Sequence, residues 1–377
     1  VADVSLRDFL DNSDGVGETS TPADARPRRF HRSMPGYRPS RVAEAPGVAE
    51  HLGLERLVVK MEVERFGLPA FKILGASWAV CRALSSRRGL QEPAATFDEL
   101  CSVAAAQREV TLVTATDGNH GRAVAHVARM LGLGARILVP EGTAAARIEA
   151  IKSEGATLEI VRGSYDEAVE VAAAAAGDDR LVISDTSWPG YEDVPGWVAD
   201  GYATIFEELL DQLPCVPPLV AVQIGVGALA SAAVRALAMP GRVLVGVEPV
   251  YAACVLAAVR DGSLVLVEGP HRSVMAGLNC GLASRIALPE MARGISAFCA
   301  IDDRVAERAV RMLHADGLSC GETGASGVAG LLALRERWPR DTWQRFGLPP
   351  RPAALVLCTE APTDPASFAR ITGAVAD

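Results

Sequence analysis

Leu219-Val220-Ala221-Val222-Gln223-Ile224-Gly225-Val226-Gly227-Ala228-Leu229-Ala230 reads as an apolar strand, a glycine turn and the opening of a helix. The run 219–224 is short, rich in aliphatic residues and free of charge, as a strand covered on both faces must be. Gly225 and Gly227 allow a sharp turn and close approach of backbone amides to a guest. The helix start behind them favours an anion, and phosphate is the natural one. Two other readings of the loop stay open at this point. One is a glycine turn needed only for strand–helix packing. The other is a GxGxxA dinucleotide fingerprint whose ribose-binding acid would be Glu248.

The same alternation extends outward in both directions. Apolar runs predict strands over 56–61, 110–114, 135–139, 157–161, 181–184, 242–247 and 353–358. Helical patterns lie between them over 70–84, 119–131, 143–153, 165–176, 228–238, 252–260 and 303–315. Short strands alternating with helices predict an α/β fold of two domains, each with a largely parallel twisted sheet flanked by helices. The expected boundaries are a flexible N-terminal arm over 1–29, a large domain over 30–107 plus 201–377, and a small substrate-side domain over 108–200.

Composition narrows the function. The 377 residues carry a net charge of −9, with 49% hydrophobic and 22% charged residues, which fits a soluble globular chain and argues against a nucleic-acid surface. The uncharged stretch 216–234 contains prolines, glycines, Gln223 and Ser231 and is not read as a membrane span. No signal peptide is expected from the polar, acidic first residues. The eight cysteines are scattered and form no CxxC pair; a disulfide framework or metal site is not expected, and a cytoplasmic location is.

Of the 37 basic residues only Lys60, Lys72 and Lys152 are lysines. Arginine replaces lysine on a wet surface, but its guanidinium stays protonated and cannot attack a carbonyl. Lys72 stands out, in Phe66-Gly67-Leu68-Pro69-Ala70-Phe71-Lys72-Ile73, just inside a helix start, where the dipole disfavours a cation and suits a reactive neutral amine. An ordinary first-turn lysine remains the plain alternative. A second strand–helix loop, Thr114-Ala115-Thr116-Asp117-Gly118-Asn119-His120-Gly121-Arg122, offers hydroxyls, an amide and helix-start amides to a carboxylate and a phenolic oxygen. Asp117 could equally be a helix cap. His120 and His126 lie six apart, off one helix face, so a metal pair is not expected.

In order along the chain, Phe71-Lys72, Asp117-Gly118-Asn119-His120-Gly121, Gly225-Val226-Gly227 and Cys358-Thr359-Glu360 resemble the fold-type II pyridoxal-phosphate enzymes, the tryptophan synthase β superfamily. Ser184-Asp185-Thr186-Ser187-Trp188, Val247-Glu248-Pro249, Met275-Ala276-Gly277-Leu278 and Gly321-Glu322-Thr323-Gly324-Ala325 extend the resemblance to its diaminopropionate ammonia-lyases. The resemblance implies that pyridoxal 5′-phosphate is the cofactor. It implies that Lys72 forms the Schiff base, that Phe71 stacks on the pyridine ring and that Asn119 meets the 3′ oxygen. The amides of Gly225, Val226, Gly227, Ala228 and Leu229 would hold the phosphate, and Cys358 would face the pyridine nitrogen as a thiol. Lys72, Asp117 and Asp185 become the expected catalytic residues, with Thr116, Asp117, His120, Asp185 and Glu322 on the substrate side. Asp117 would take the α-proton of a D substrate and Lys72 that of an L substrate.

The implied reaction is α,β-elimination of ammonia from 2,3-diaminopropionate, giving pyruvate and ammonia. The implied partner is a small amino acid, and the implied assembly a homodimer. Pro69, Met61, Pro189, Asn279 and Leu282 depart from the family's usual pattern, and those near the substrate side bear on which amino acid or β leaving group is handled. The alternatives are serine or threonine dehydration or β-replacement on the same cofactor, a relative that keeps the cofactor without catalysis, and an NAD-dependent dehydrogenase built on Gly225, Gly227, Ala230 and Glu248.

Overall fold

Leu219–Gln223 forms a strand and Ala228–Leu237 a helix, so the decisive stretch folds as read. The computed structural model describes residues 6–17, 24–116 and 118–373; Asp117 lies outside them. The chain begins with β1 (Leu6–Asp11), α1 (Arg26–Ser33), β2 (Val42–Glu44), α2 (Pro46–Leu52), β3 (Arg56–Met61), α3 (Ile73–Arg87) and α4 (Phe97–Ala105). It continues through β4 (Thr111–Ala115), α5 (Asn119–Leu131), β5 (Gly134–Pro140), α6 (Ala145–Lys152), β6 (Thr157–Val161), α7 (Tyr165–Ala174), β7 (Arg180–Val182) and α8 (Asp193–Gln212). There follow β8 (Leu219–Gln223), α9 (Ala228–Leu237), β9 (Val243–Pro249), α10 (Cys254–Asp261), α11 (Leu288–Gly294), β10 (Ala297–Ile301), α12 (Asp303–Ala315), α13 (Ser326–Arg337), β11 (Ala353–Cys358) and α14 (Pro365–Thr372).

Two compact units result. The first comprises 1–22, 40–64 and 205–377; the second comprises 23–39 and 65–204. The expected small domain at 108–200 therefore gains 65–107 and 23–39, because α3 and α4 pack on α5 and α1 packs on both α3 and α4. The expected arm is also partly built into the fold. Leu6–Asp11 pairs antiparallel with β10, and Arg7 reaches Asp302 at 2.7 Å.

The large unit holds a seven-stranded sheet in the order β1-β10-β9-β8-β11-β3-β2. Its five central strands are parallel and both edges are antiparallel. Every residue of β8, β9 and β10 is buried, as parallel strands covered on both faces require. The chain proceeds from β8 through β9 to β10 on one side, then returns to lay β11 on the other. The reversal between β8 and β11 is where an open parallel sheet forms a crevice at its strand carboxyl ends.

The small unit holds a four-stranded, all-parallel sheet, β6-β5-β4-β7. Here too the chain runs outward, from β4 to β6, then comes back to set β7 on the free side of β4. Its reversal lies between β4 and β7. No helix of the described residues is long and apolar enough to cross a membrane.

Candidate active site

In the small unit the loops after β4 and β7 converge. Thr116 follows β4 and is buried. Its Oγ1 accepts the backbone N–H of Gly118 at 2.9 Å and of Gly121 at 3.0 Å, so this hydroxyl shapes the entry into α5. His120, in the first turn of α5, is buried and places Nε2 2.8 Å from the Ile183 carbonyl oxygen beyond β7. Two residues further, Asp185 is 4% exposed. Its Oδ1 accepts the Tyr165 hydroxyl at 3.0 Å, and its Oδ2 accepts Lys72 Nζ at 2.8 Å. His120 Nδ1 lies 4.0 Å from that same Oδ2.

Helix packing brings Lys72 to this point. The residue immediately precedes α3, and α3 crosses α8 at two glycines. A Cβ on Gly75 would come within 2.6 Å of the Tyr202 ring and 2.7 Å of Val198, and one on Gly201 would collide with the Leu74 carbonyl oxygen. The close approach sets the Tyr202 ring 4.7 Å from Phe71 and 5.9 Å from Lys72 Nζ. His31 of α1 bridges the two helices, meeting the Leu74 oxygen at 2.9 Å and Thr204 at 2.8 Å. The other two lysines are otherwise engaged. Lys60 is fully buried and bonds Glu208, Gln212 and the Ser40 oxygen, and Lys152 pairs with Glu149 on the surface of α6.

Burial opposes ionisation of Asp185. The adjacent Lys72 ammonium, the nearby His120 and the hydrogen bonds from Lys72 and Tyr165 outweigh it and hold the carboxyl well below its ordinary range. A carboxyl lowered in this way supports folding above the ordinary value of 3.8, and that support is lost only as the pH falls through the folded value. For His120 burial is the leading influence. It lowers the ring pKa with help from Lys72, against the attraction of Asp185 and the bond to Ile183. The result is a carboxylate and a neutral imidazole around one ammonium.

The large unit presents the opposite chemistry. Among the described residues no acceptor meets the backbone N–H groups of Gly225, Val226, Gly227, Ala228 or Leu229, although all but Gly225 are buried. Gly227 has φ 110°, and a Cβ there would strike Met291, so only glycine fits. Gln223, at the end of β8, donates from Nε2 to Thr359 Oγ1 at 2.8 Å and to the Leu357 oxygen at 3.1 Å. That ties the loop after β8 to the end of β11.

Several expectations change here. Cys358, expected as a thiol, is joined to Cys320 in a disulfide with Cα atoms 5.9 Å apart; the other six cysteines form no disulfide. The two residues lie at adjacent ends of β11 and the loop before α13, a proximity that sequence spacing does not reveal. Glu322 belongs to the large unit, where its Oε1 accepts Ser367 Oγ at 2.6 Å. Glu248 is fully buried, with both oxygens accepting the N–H groups of Val255 and Leu256 at 2.8 Å. Burial pushes its carboxyl up to about 8 against those bonds. Fully buried and turned into the start of α10, the Glu248 carboxyl presents no surface to a ribose, which removes the basis of the nicotinamide reading. No group of His, Cys, Asp and Glu able to hold a metal occurs among the described residues.

The sequence matches the family described as pyridoxal-phosphate dependent enzyme over residues 34–344. This chain belongs to that family. It is 33% identical over 375 residues to diaminopropionate ammonia-lyase of Escherichia coli K12, spanning 95% of this chain and 94% of the relative. The Salmonella typhimurium protein of the same name is 33% identical over 358 residues, 89% of this chain and 88% of the relative. The solved Escherichia coli diaminopropionate ammonia lyase in complex with D-serine superposes with a TM-score of 0.87 at 30% identity, covering 98% and 97% of the two chains. The same enzyme in complex with an aminoacrylate-PLP azomethine reaction intermediate gives 0.87 at 29%, with the same coverage.

The residues present fit the family's cofactor. N–H groups without acceptors at a helix start can cradle an anion, and at Gly227 the backbone conformation and Met291 leave no place for a side chain. Lys72 is the one lysine of the three whose amine meets the Asp185 carboxylate beyond β7. Two residues of this pyridoxal-phosphate enzyme escaped the sequence reading, Tyr165 and Tyr202; Tyr191, whose hydroxyl accepts the Ser184 N–H at 3.1 Å and donates to the Val182 oxygen at 2.7 Å, follows the Ser184–Trp188 segment that carries the resemblance. Tyr165 carried a usable signal, since it opens α7 directly after the capping Ser164, but nothing in its spacing points to Asp185.

Proposed function

We propose that this chain is an ammonia-lyase that converts 2,3-diaminopropionate to pyruvate and ammonia, and that Lys72, Asp117 and Asp185 are its catalytic residues. When bound, pyridoxal phosphate supplies an electron sink that acidifies the hydrogen on the substrate α-carbon. The amides of Gly225 to Leu229 are proposed to hold its phosphate, Lys72 its aldehyde carbon, Asn119 its 3′ oxygen and Phe71 a ring face, with Cys358 near the pyridine nitrogen. Cys358 there offers lone pairs and no hydrogen while it is joined to Cys320. Lys72 would take the α-proton of an L substrate and Asp117 that of a D substrate.

One observation carries the reading: the Lys72 ammonium 2.8 Å from a buried carboxylate whose second oxygen is already engaged by Tyr165. Once the Lys72 amine holds the cofactor, Asp185 needs another cation. The β-ammonium of 2,3-diaminopropionate has the charge and geometry of the amine it replaces. His120 is proposed to line the same place, Thr116 to shape it through the loop, and Glu322 to act from the large unit. The two compact units are proposed to serve as cofactor-binding and substrate-side domains. A cytoplasmic homodimer is part of the same proposal.

The test is a substrate panel. Holoprotein is incubated with D- and L-diaminopropionate, serine and threonine, and ammonia and keto acid are counted. Two ammonia molecules for each pyruvate from diaminopropionate is the expected result. Release from the hydroxy amino acids alone, or from none, would contradict it.

A further inference from the structure

The histidine beside Asp185 has a fixed hydrogen-bonding polarity. The Ile183 carbonyl is an acceptor only, so His120 Nε2, 2.8 Å away, must carry the hydrogen. In a neutral ring Nδ1 is then a bare lone pair. That atom is buried and has no hydrogen-bond partner among the described residues, and it faces Asp185 Oδ2 at 4.0 Å. An acceptor facing an ionised acceptor is unfavourable unless a donor stands between or beside them. The Tyr165 hydrogen is directed to Oδ1, which leaves Oδ2 and Nδ1 as a pair of acceptors with Lys72 as the donor beside them.

We propose that His120, held as its Nε2–H form by Ile183, determines specificity by making this site acceptor-only, so that it accepts a β-ammonium and disfavours a β-hydroxyl. The inference rests on the proposed elimination reaction. An ammonium already carries its third hydrogen: as the Cβ–N bond breaks, its electron pair goes to nitrogen and neutral NH3 departs. The electrons of the broken Cα–H bond form the new carbon–carbon double bond, and the proton goes to the base. A hydroxyl in the same place would have to leave as hydroxide or take up a proton first, and neither Asp185 nor His120 Nδ1 has one to give. The hydroxyl could still donate one hydrogen bond, so binding is less affected than departure. The discrimination is expected mainly in kcat.

Two measurements test this. In protein without cofactor, labelled with 15N-histidine, long-range 1H–15N spectra report which ring nitrogen is protonated. The signal lost in His120→Gln identifies this ring among the six histidines. A protonated Nε2 and bare Nδ1 at neutral pH are expected; the opposite form, or a doubly protonated ring, overturns the proposal. In the holoenzyme, His120→Asn places an amide able to donate near the Nδ1 position. The ratio of kcat for diaminopropionate to kcat for serine should then fall about tenfold or more. An unchanged ratio in a variant that still turns over either substrate overturns the proposal while leaving the lyase reading intact. If the wild-type protein releases ammonia from neither substrate, the lyase reading fails and this inference with it.

Discussion

The two sheets place loops at the same topological position and furnish them with opposite polarity. Between β8 and β11 of the large unit, the loop offers buried N–H donors that lack acceptors. Between β4 and β7 of the small unit, Asp185 and His120 offer acceptors around a lysine. The first arrangement suits an anion and the second a cation. The contrast teaches that the parallel-sheet reversal supplies only a crevice; its chemistry follows from whether backbone amides or side-chain oxygen and nitrogen lone pairs project into it.

Changing the carboxylate should have the largest effect. Asp185→Asn keeps the shape but removes the charge opposite the ammonium. Disrupting a buried pair of this kind costs about 3–5 kcal/mol, so kcat/KM for diaminopropionate should fall by about 10²–10⁴-fold. A fall below threefold would remove the cation site from the account. Gly227→Ala tests the large-unit loop. A side chain at φ 110° that also strikes Met291 should weaken cofactor affinity by about 10–100-fold, read by absorbance titration, with far-ultraviolet circular dichroism unchanged. Retained affinity would show that the loop does not cradle the phosphate.

Tyr165→Phe should have a smaller effect. Losing one hydrogen bond to a carboxylate costs about 1.5–3 kcal/mol at most, and it raises the pKa of Asp185, because that bond favours the ionised form. The acid limb of the kcat/KM profile should therefore move to higher pH, and a shift to lower pH would contradict the role given to Tyr165.

The legible parts of the sequence were those whose pattern is local. β3, α5, β6, α12 and β11 have the bounds expected for them, because each is a run of one periodicity between clear breakers. α13 was not anticipated. Nine consecutive residues, Ser326 to Leu334, are buried, so no polar face marks a helical period. α8 was hidden by Pro195 and Gly196, which look like a turn but occupy a first helical turn where proline is tolerated. β1 carries Arg7, Asp8 and Asp11 because it is an edge strand with one open side. At the site, Lys72 was visible from lysine scarcity, whereas Tyr165 and Asp185, 20 positions apart, meet only because β7 lies beside β4. The disulfide of Cys320 and Cys358 depends on packing in the same way.

The central claim is that the amine of Lys72 carries the cofactor beside a carboxylate that can take a second ammonium. Borohydride reduction of the holoprotein, followed by peptide mapping, tests it most directly. The account predicts a single reduced adduct on Lys72, absent from Lys72→Ala. An adduct on Lys60 or Lys152, or none on any lysine, would contradict it.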